Sequence, residues 1–194
     1  MLFSSEGKAV RFEETDVRPM GRQATGVRGM KLGEGQRVMC MLVADTEKAD
    51  SAKSVLTATE NGFGKRTPIA EYTRHGRGGQ GMIAIQGSER NGALVGAVLV
   101  DDSDEVMLIS TGGVLIRTKV EQIREMGRST QGVTLIALGE GEKLAGLERI
   151  EERDLGANGN GGNGGNGGAH EPSSPVNGDS EEPPASSEPP PTVH

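Results

Sequence analysis

The stretch Asn61-Gly62-Phe63-Gly64-Lys65-Arg66, with Gly76-Arg77 ten residues after its arginine and Gly81-Met82-Ile83 five residues later, decides the fold because its landmarks recur three times. Gly7, Gly62 and Gly113 are each followed four residues later by an arginine: Arg11, Arg66 or Arg117. Fourteen residues beyond each of those glycines stands a Gly-Arg pair, Gly21-Arg22, Gly76-Arg77 or Gly127-Arg128. Five residues further, Gly26, Gly81 or Gly132 opens an apolar run. Four landmarks in one register, spaced by just over fifty residues, mark an internal repeat. Each unit reads as four short strands. The first is Val55-Leu56-Thr57-Ala58-Thr59 or its counterpart Val106 to Ser110, closed by a Gly-containing turn. The second carries the arginine, as in Ala9-Val10-Arg11-Phe12 or Val114-Leu115-Ile116-Arg117. A longer loop holds the Gly-Arg pair, a third strand follows it, and a fourth, such as Ala93 to Val100, ends the unit. No segment has helical periodicity. Four strands per repeat predict radially arranged blades, and three blades are few for a closed ring, so the expectation is an all-β, propeller-like fold with three four-stranded blades of a larger ring.

Working outward, composition bounds what lies beyond the blades. Of 194 residues only 33% are hydrophobic, and glycine accounts for 31, so part of the chain should lie outside any core. That part begins after Ile150: Asn158 to Gly168 is nearly pure Asn and Gly, and Glu171 to His194 is dominated by Pro, Ser and Glu. Such a segment cannot bury enough apolar surface to offset its ordering entropy. The expected organisation is three blades over residues 1–153 (about 1–47, 54–105 and 106–153) and a disordered acidic tail over 154–194. Residues 151–194 hold one Lys or Arg, Arg153, against eight acids, while residues 1–150 hold 20 of each sign, so the net charge of −7 belongs to the tail. No run is long enough to span a membrane, and the Met1-Leu2-Phe3 start shows neither a charged leader nor a cleavage pattern, which points to a cytoplasmic protein without a membrane partner. The single cysteine, Cys40, lies in an apolar run and reads as a buried strand residue.

The string Val17-Arg18-Pro19-Met20-Gly21-Arg22-Gln23-Ala24-Thr25-Gly26-Val27-Arg28-Gly29 resembles the gyrase A C-terminal domain family, as do Asn61 to Thr67 and Gly127 to Ile136. The resemblance runs over about residues 1 to 153. It implies a six-bladed β-pinwheel, of which this chain would hold the last three blades, and a basic rim that wraps duplex DNA within a type II topoisomerase. The partners it implies are the rest of gyrase A and the gyrase B subunit, in a bacterial, nucleoid-associated complex. ATP and Mg would belong to the rest of that holoenzyme, with no cofactor in this chain. The family's basic-glycine box lies in its first blade, whereas the nearest string here, Arg74 to Gly81, occupies a later-blade position. The resemblance places the family's breakage domain, with its catalytic tyrosine, outside these 194 residues, so no catalytic residue is expected among them. Tyr72, the only tyrosine, follows Glu71 in a blade loop and lacks the arginine that precedes the family's nucleophile.

A protein that curves DNA needs cations spaced along its surface to contact phosphates and release counterions. The repeat supplies them as Arg11, Arg66 and Arg117 at one blade position, Arg22, Arg77 and Arg128 at another, and Arg18 and Arg124 at a third, with Arg74 one residue out of step. Lys65 and Lys119 flank them, completing the candidate DNA-binding set. The competing reading is that these cations bracket nearby acids, Glu13, Glu14, Glu71, Glu121 and Glu125, with the remaining acids falling in connectors such as Asp45, Glu47 and Asp50 or Asp101 to Glu105. Base-specific readout is not expected, since no helix is available for the major groove. Within the topoisomerases, the alternative is the C-terminal domain of the corresponding topoisomerase IV protein; outside them, it is a protein-interaction scaffold. Several motifs carry no chemistry. Gly76 to Gly81 fits the GxGxxG pattern without a strand-turn-helix setting, and Gly64-Lys65 lacks the flanking residues of a phosphate loop. The histidines His75, His170 and His194 are too scattered for a metal site or a triad.

Overall fold

The computed structural model describes residues 1–45 and 53–150. The expected tail and the connector acids Glu47 and Asp50 lie outside the described residues. Among the described residues eleven strands form three antiparallel sheets. They are β1 (Leu2–Ser4), β2 (Lys8–Val10), β3 (Val38–Met41), β4 (Ser54–Thr59), β5 (Phe63–Pro68), β6 (Met82–Ile83), β7 (Leu94–Val100), β8 (Glu105–Ser110), β9 (Leu115–Lys119), β10 (Val133–Thr134) and β11 (Leu144–Ile150). The sheets run β3-β1-β2-β6, β10-β5-β4-β7 and β11-β8-β9.

This order corrects the expectation of four consecutive strands per blade. Each repeat keeps three strands, and the second and third give the one after their Gly-Arg loop to the preceding sheet. Thus β6, from the second repeat, pairs with β2 through Lys8–Ile83 and Ala9–Met82. In the same way β10, from the third repeat, pairs with β5 through Gly64–Val133 and Phe63–Thr134. The third sheet consequently has three strands among the described residues, not four. The corresponding segment of the first repeat, Gly26-Val27, is not a strand. Close backbone approach explains the glycine that opens each exchanged strand. A Cβ on Gly81 would lie 2.6 Å from the Ala9 carbonyl oxygen, and one on Gly132 would lie 2.5 Å from that of Gly64. Both glycines adopt positive φ, +78° and +80°. Gly26 has a similar φ of +82° yet nothing within 4 Å of its Cβ position, since no described sheet receives its segment.

Two cores fill the seams between adjacent sheets. The two-residue period of β4 sends Leu56 and Ala58 into a core with Val100, Val106, Leu108 and Ile123, while Val55 joins Phe3, Ile69, Tyr72 and Leu94 in the other. This explains why β4 is buried along its whole length. Tyr72, fully buried, packs edge-on to Phe3 with ring centroids 6.2 Å apart. Burial pushes its phenol well above the ordinary range, so it is a packing residue. Cys40 is half-buried on β3, a departure from full burial, and desolvation raises its thiol pKa as well. A single 3-10 turn recurs at one repeat position, Glu14–Asp16, Ile69–Glu71 and Val120–Gln122, and is the only helical structure among the described residues. None of these helices is long and apolar enough to cross a membrane.

Candidate nucleic-acid interface

The repeated arginines that follow the first two turn glycines are placed at the seams. Arg11 Nη1 donates to the carbonyls of Ile69 (2.9 Å) and Tyr72 (3.0 Å), at the 3-10 turn of the next repeat. Arg66 repeats the contact one seam later, its Nε donating to the Ile123 carbonyl at 2.6 Å while Nη1 pairs with Asp102. Both are half-buried. A guanidinium suits this role because its fixed fork satisfies several carbonyl oxygens at once. Burial lowers the Arg11 pKa, and nearby Arg74 lowers it further, partly offset by Glu13.

The second and third Gly-Arg pairs reach across the same seams in the opposite direction. Arg77 donates from Nε to the Asp16 carbonyl (2.9 Å) and from Nη1 to that of Arg28 (3.3 Å). Arg128 donates from Nη1 to the Ile83 carbonyl (3.1 Å), the counterpart of Arg28 in the repeat, and Glu71 accepts from its backbone N–H. Backbone bonds reinforce both seams at matching positions, Lys31 N–H to Gly79 O (2.8 Å) and Gln86 N–H to Thr130 O (3.0 Å).

Lys65 departs furthest from a phosphate contact. It is fully buried, and its ammonium donates to the carbonyls of Gly127 and Arg128 and to Thr130 Oγ1 (3.1 Å). Desolvation removes it from the candidate surface set. Arg74, Arg117 and Lys119 pair with Glu13, Glu105 and Glu121. The pairs with Glu13 and Glu121 follow the bracketing alternative, whereas Glu105, Asp101, Asp102 and Asp104, paired with Arg117, Lys53, Arg66 and Arg149, are the connector acids.

Exposed and outside these contacts are the side chains of Arg18, Arg22 and Arg124 from the repeat-derived set. The structure adds Arg28, Lys31 and Arg37, exposed in the same segment as Arg18 and Arg22. Between Val17 and Arg37 these five cations face a single acid, Glu34, and none of the five forms an ion pair among the described residues. A search confined to repeated positions passes them over: the counterparts of Arg28, Lys31 and Arg37 in the second repeat are Ile83, Gln86 and Gly92. The usable signal is local charge density in one long loop. Gly76 to Gly81, by contrast, forms a loop leading into β6, with no helix to receive a pyrophosphate. No group of three or more His, Cys, Asp or Glu residues among the described residues is placed to hold a metal ion.

Strand exchange between neighbouring sheets and arginine ties at both seams define a blade-repeat protein of the propeller type, with one exposed basic loop. The chain belongs to the family described as DNA gyrase C-terminal domain, beta-propeller, which it matches over residues 1–45, 53–101 and 104–151. It is 55% identical to the DNA gyrase A protein of Pseudomonas aeruginosa over 152 residues, covering 78% of this chain and 16% of that protein. The figures for the gyrase A protein of Escherichia coli K12 are 52%, 78% and 17%. For that of Neisseria gonorrhoeae they are 45% over 197 residues, 82% and 22%, so the chain spans under a quarter of the length of these relatives. Among solved structures it resembles a DNA gyrase A C-terminal domain (TM-score 0.66, 27% identity, 77% of this chain and 50% of that one). It also resembles the C-terminal domain of a DNA topoisomerase IV (TM-score 0.70, 26% identity, 77% and 46%).

Proposed function

We propose that the chain binds duplex DNA without base specificity and bends or wraps it, as part of the gyrase A protein of a type II topoisomerase that supercoils DNA negatively. The observation that carries this reading is the exposed loop from Val17 to Arg37, with five cations against one acid. Long, solvated, unpaired cations gain by exchanging condensed counterions for phosphates. Identity of 45–55% to gyrase A proteins supports the gyrase assignment over the topoisomerase IV one. The breakage chemistry, ATP with Mg, and the gyrase B partner belong to the remainder of that holoenzyme, in the bacterial cytoplasm at the nucleoid. Duplex affinity of the 194-residue chain across a salt series tests the proposal. Binding that weakens steeply with salt and ignores sequence is the expected result. No affinity at low ionic strength, with salt-insensitive capture of a protein instead, would favour an interaction scaffold.

A further inference from the structure

Lys65 is the one charged side chain that is fully buried among the described residues. It lies on β5, opposite Thr57 of β4, and its ammonium enters the Gly127–Thr130 loop of the third repeat. An ammonium has three N–H donors, and all three are spent there, on the Gly127 and Arg128 carbonyls and on Thr130 Oγ1. Thr130 Oγ1 in turn donates to the Gly127 carbonyl at 2.9 Å, closing the set. Two residues further along β5, Thr67 Oγ1 donates to the Met126 carbonyl at 2.8 Å. The counterparts of Lys65 in the other repeats are Val10 and Ile116. The fold therefore accepts an aliphatic residue at this position, and burying a cation instead costs free energy unless every donor is satisfied. Packing alone does not account for it; the loop it grips does.

We propose that Lys65 is a positioning residue for the nucleic-acid surface, locking the Gly127–Thr130 loop so that Arg124, just before it, is presented to phosphates. The inference rests on the DNA-binding reading above. Arg124 is exposed, whereas Arg128 is half-buried and tied to the Ile83 carbonyl across the seam. The charged groups acting on Lys65 are Glu71 from the neighbouring 3-10 turn and Arg128 itself, while β4 presents Thr57 and β10 presents Val133 and Thr134, none of them titratable. Burial lowers the Lys65 pKa to about 8, which leaves the ammonium mostly charged at neutral pH.

The test compares the 194-residue chain with its Lys65→Met variant, which keeps the stem and removes the donors. Amide exchange over Gly127 to Gly132 should accelerate about tenfold while β4 and β8 keep their protection. Duplex-DNA affinity should fall about 3- to 10-fold, and the slope of log affinity against log salt should drop by about 0.9, one phosphate contact. If Lys65→Met does not fold, Thr130→Val removes one of the three acceptors and is read the same way, with smaller shifts in the same directions. Unchanged loop exchange in the folded variant overturns the proposal. So does faster loop exchange with wild-type affinity and salt slope, which would make Lys65 a packing residue only. A wild-type chain with no salt-dependent binding overturns the DNA reading itself and the proposal with it, whatever the exchange data show.

Discussion

Arg11 and Arg66 show how one residue type at one repeat position supports two opposite readings in sequence and only one in three dimensions. The sequence places them on strands with a shared period, which fits a row of phosphate contacts equally well. What decides is the carbonyl set at the next repeat's 3-10 turn, fifty-odd residues away, and no local pattern announces that distance. Lys65 is hidden for the same reason: its three acceptors belong to another repeat. Its titration gives a prediction. The folded pKa is about 8 against an ordinary 10.5, because burial disfavours the charge. Between those values the unfolded chain keeps a proton that the folded chain has released. The stability contributed by Lys65 therefore rises with pH across that window. Denaturant unfolding from about pH 8 to 10.5 should show wild type gaining stability relative to Lys65→Met. A constant difference between the two would place the Lys65 pKa at its ordinary value.

At the scale of elements, the glycine landmarks are legible and their purpose is not. Glycines at fixed offsets announce turns and strand openings, and their shared register across the three repeats is visible without a structure. Strand order in the sheet is another matter. The run opened by Gly81 looks like the third strand of its own blade, and only the register with Lys8 and Ala9 reveals it as the outer strand of the previous one. Alanine substitution separates the two demands on these glycines. Gly81→Ala must bear both a left-handed φ and a Cβ 2.6 Å from a carbonyl oxygen, so a loss of about 2–4 kcal/mol is expected from its urea midpoint. Gly26→Ala bears the φ alone, with open space around it, and should lose about 1 kcal/mol. Equal losses would mean that the exchanged strand does not constrain the seam.

On the scale of the whole molecule, three sheets share two cores and are tied by arginines in both directions across each seam. This division of labour assigns seam arginines to holding the blades and loop cations to the surface. The change in composition after Ile150, with one Arg against eight acids in residues 151–194, falls outside the described residues and stands on the sequence alone. Six of those acids fall in residues 154–194, and their charge opposes the approach of a polyanion. Removing residues 154–194 is therefore expected to tighten duplex binding at low salt, and unchanged affinity would dismiss this effect.

The measurement that tests the division of labour most directly is the salt slope of duplex affinity for wild type, Arg18→Gln/Arg22→Gln/Arg28→Gln and Arg11→Met, each in the 194-residue chain. The loop variant should lose about 0.9 of slope for each phosphate contact removed, about 2.7 in all. Arg11→Met should unfold at lower denaturant and keep the wild-type slope. A loop variant with the wild-type slope, or a seam variant that loses as much slope as the loop variant, would contradict that division.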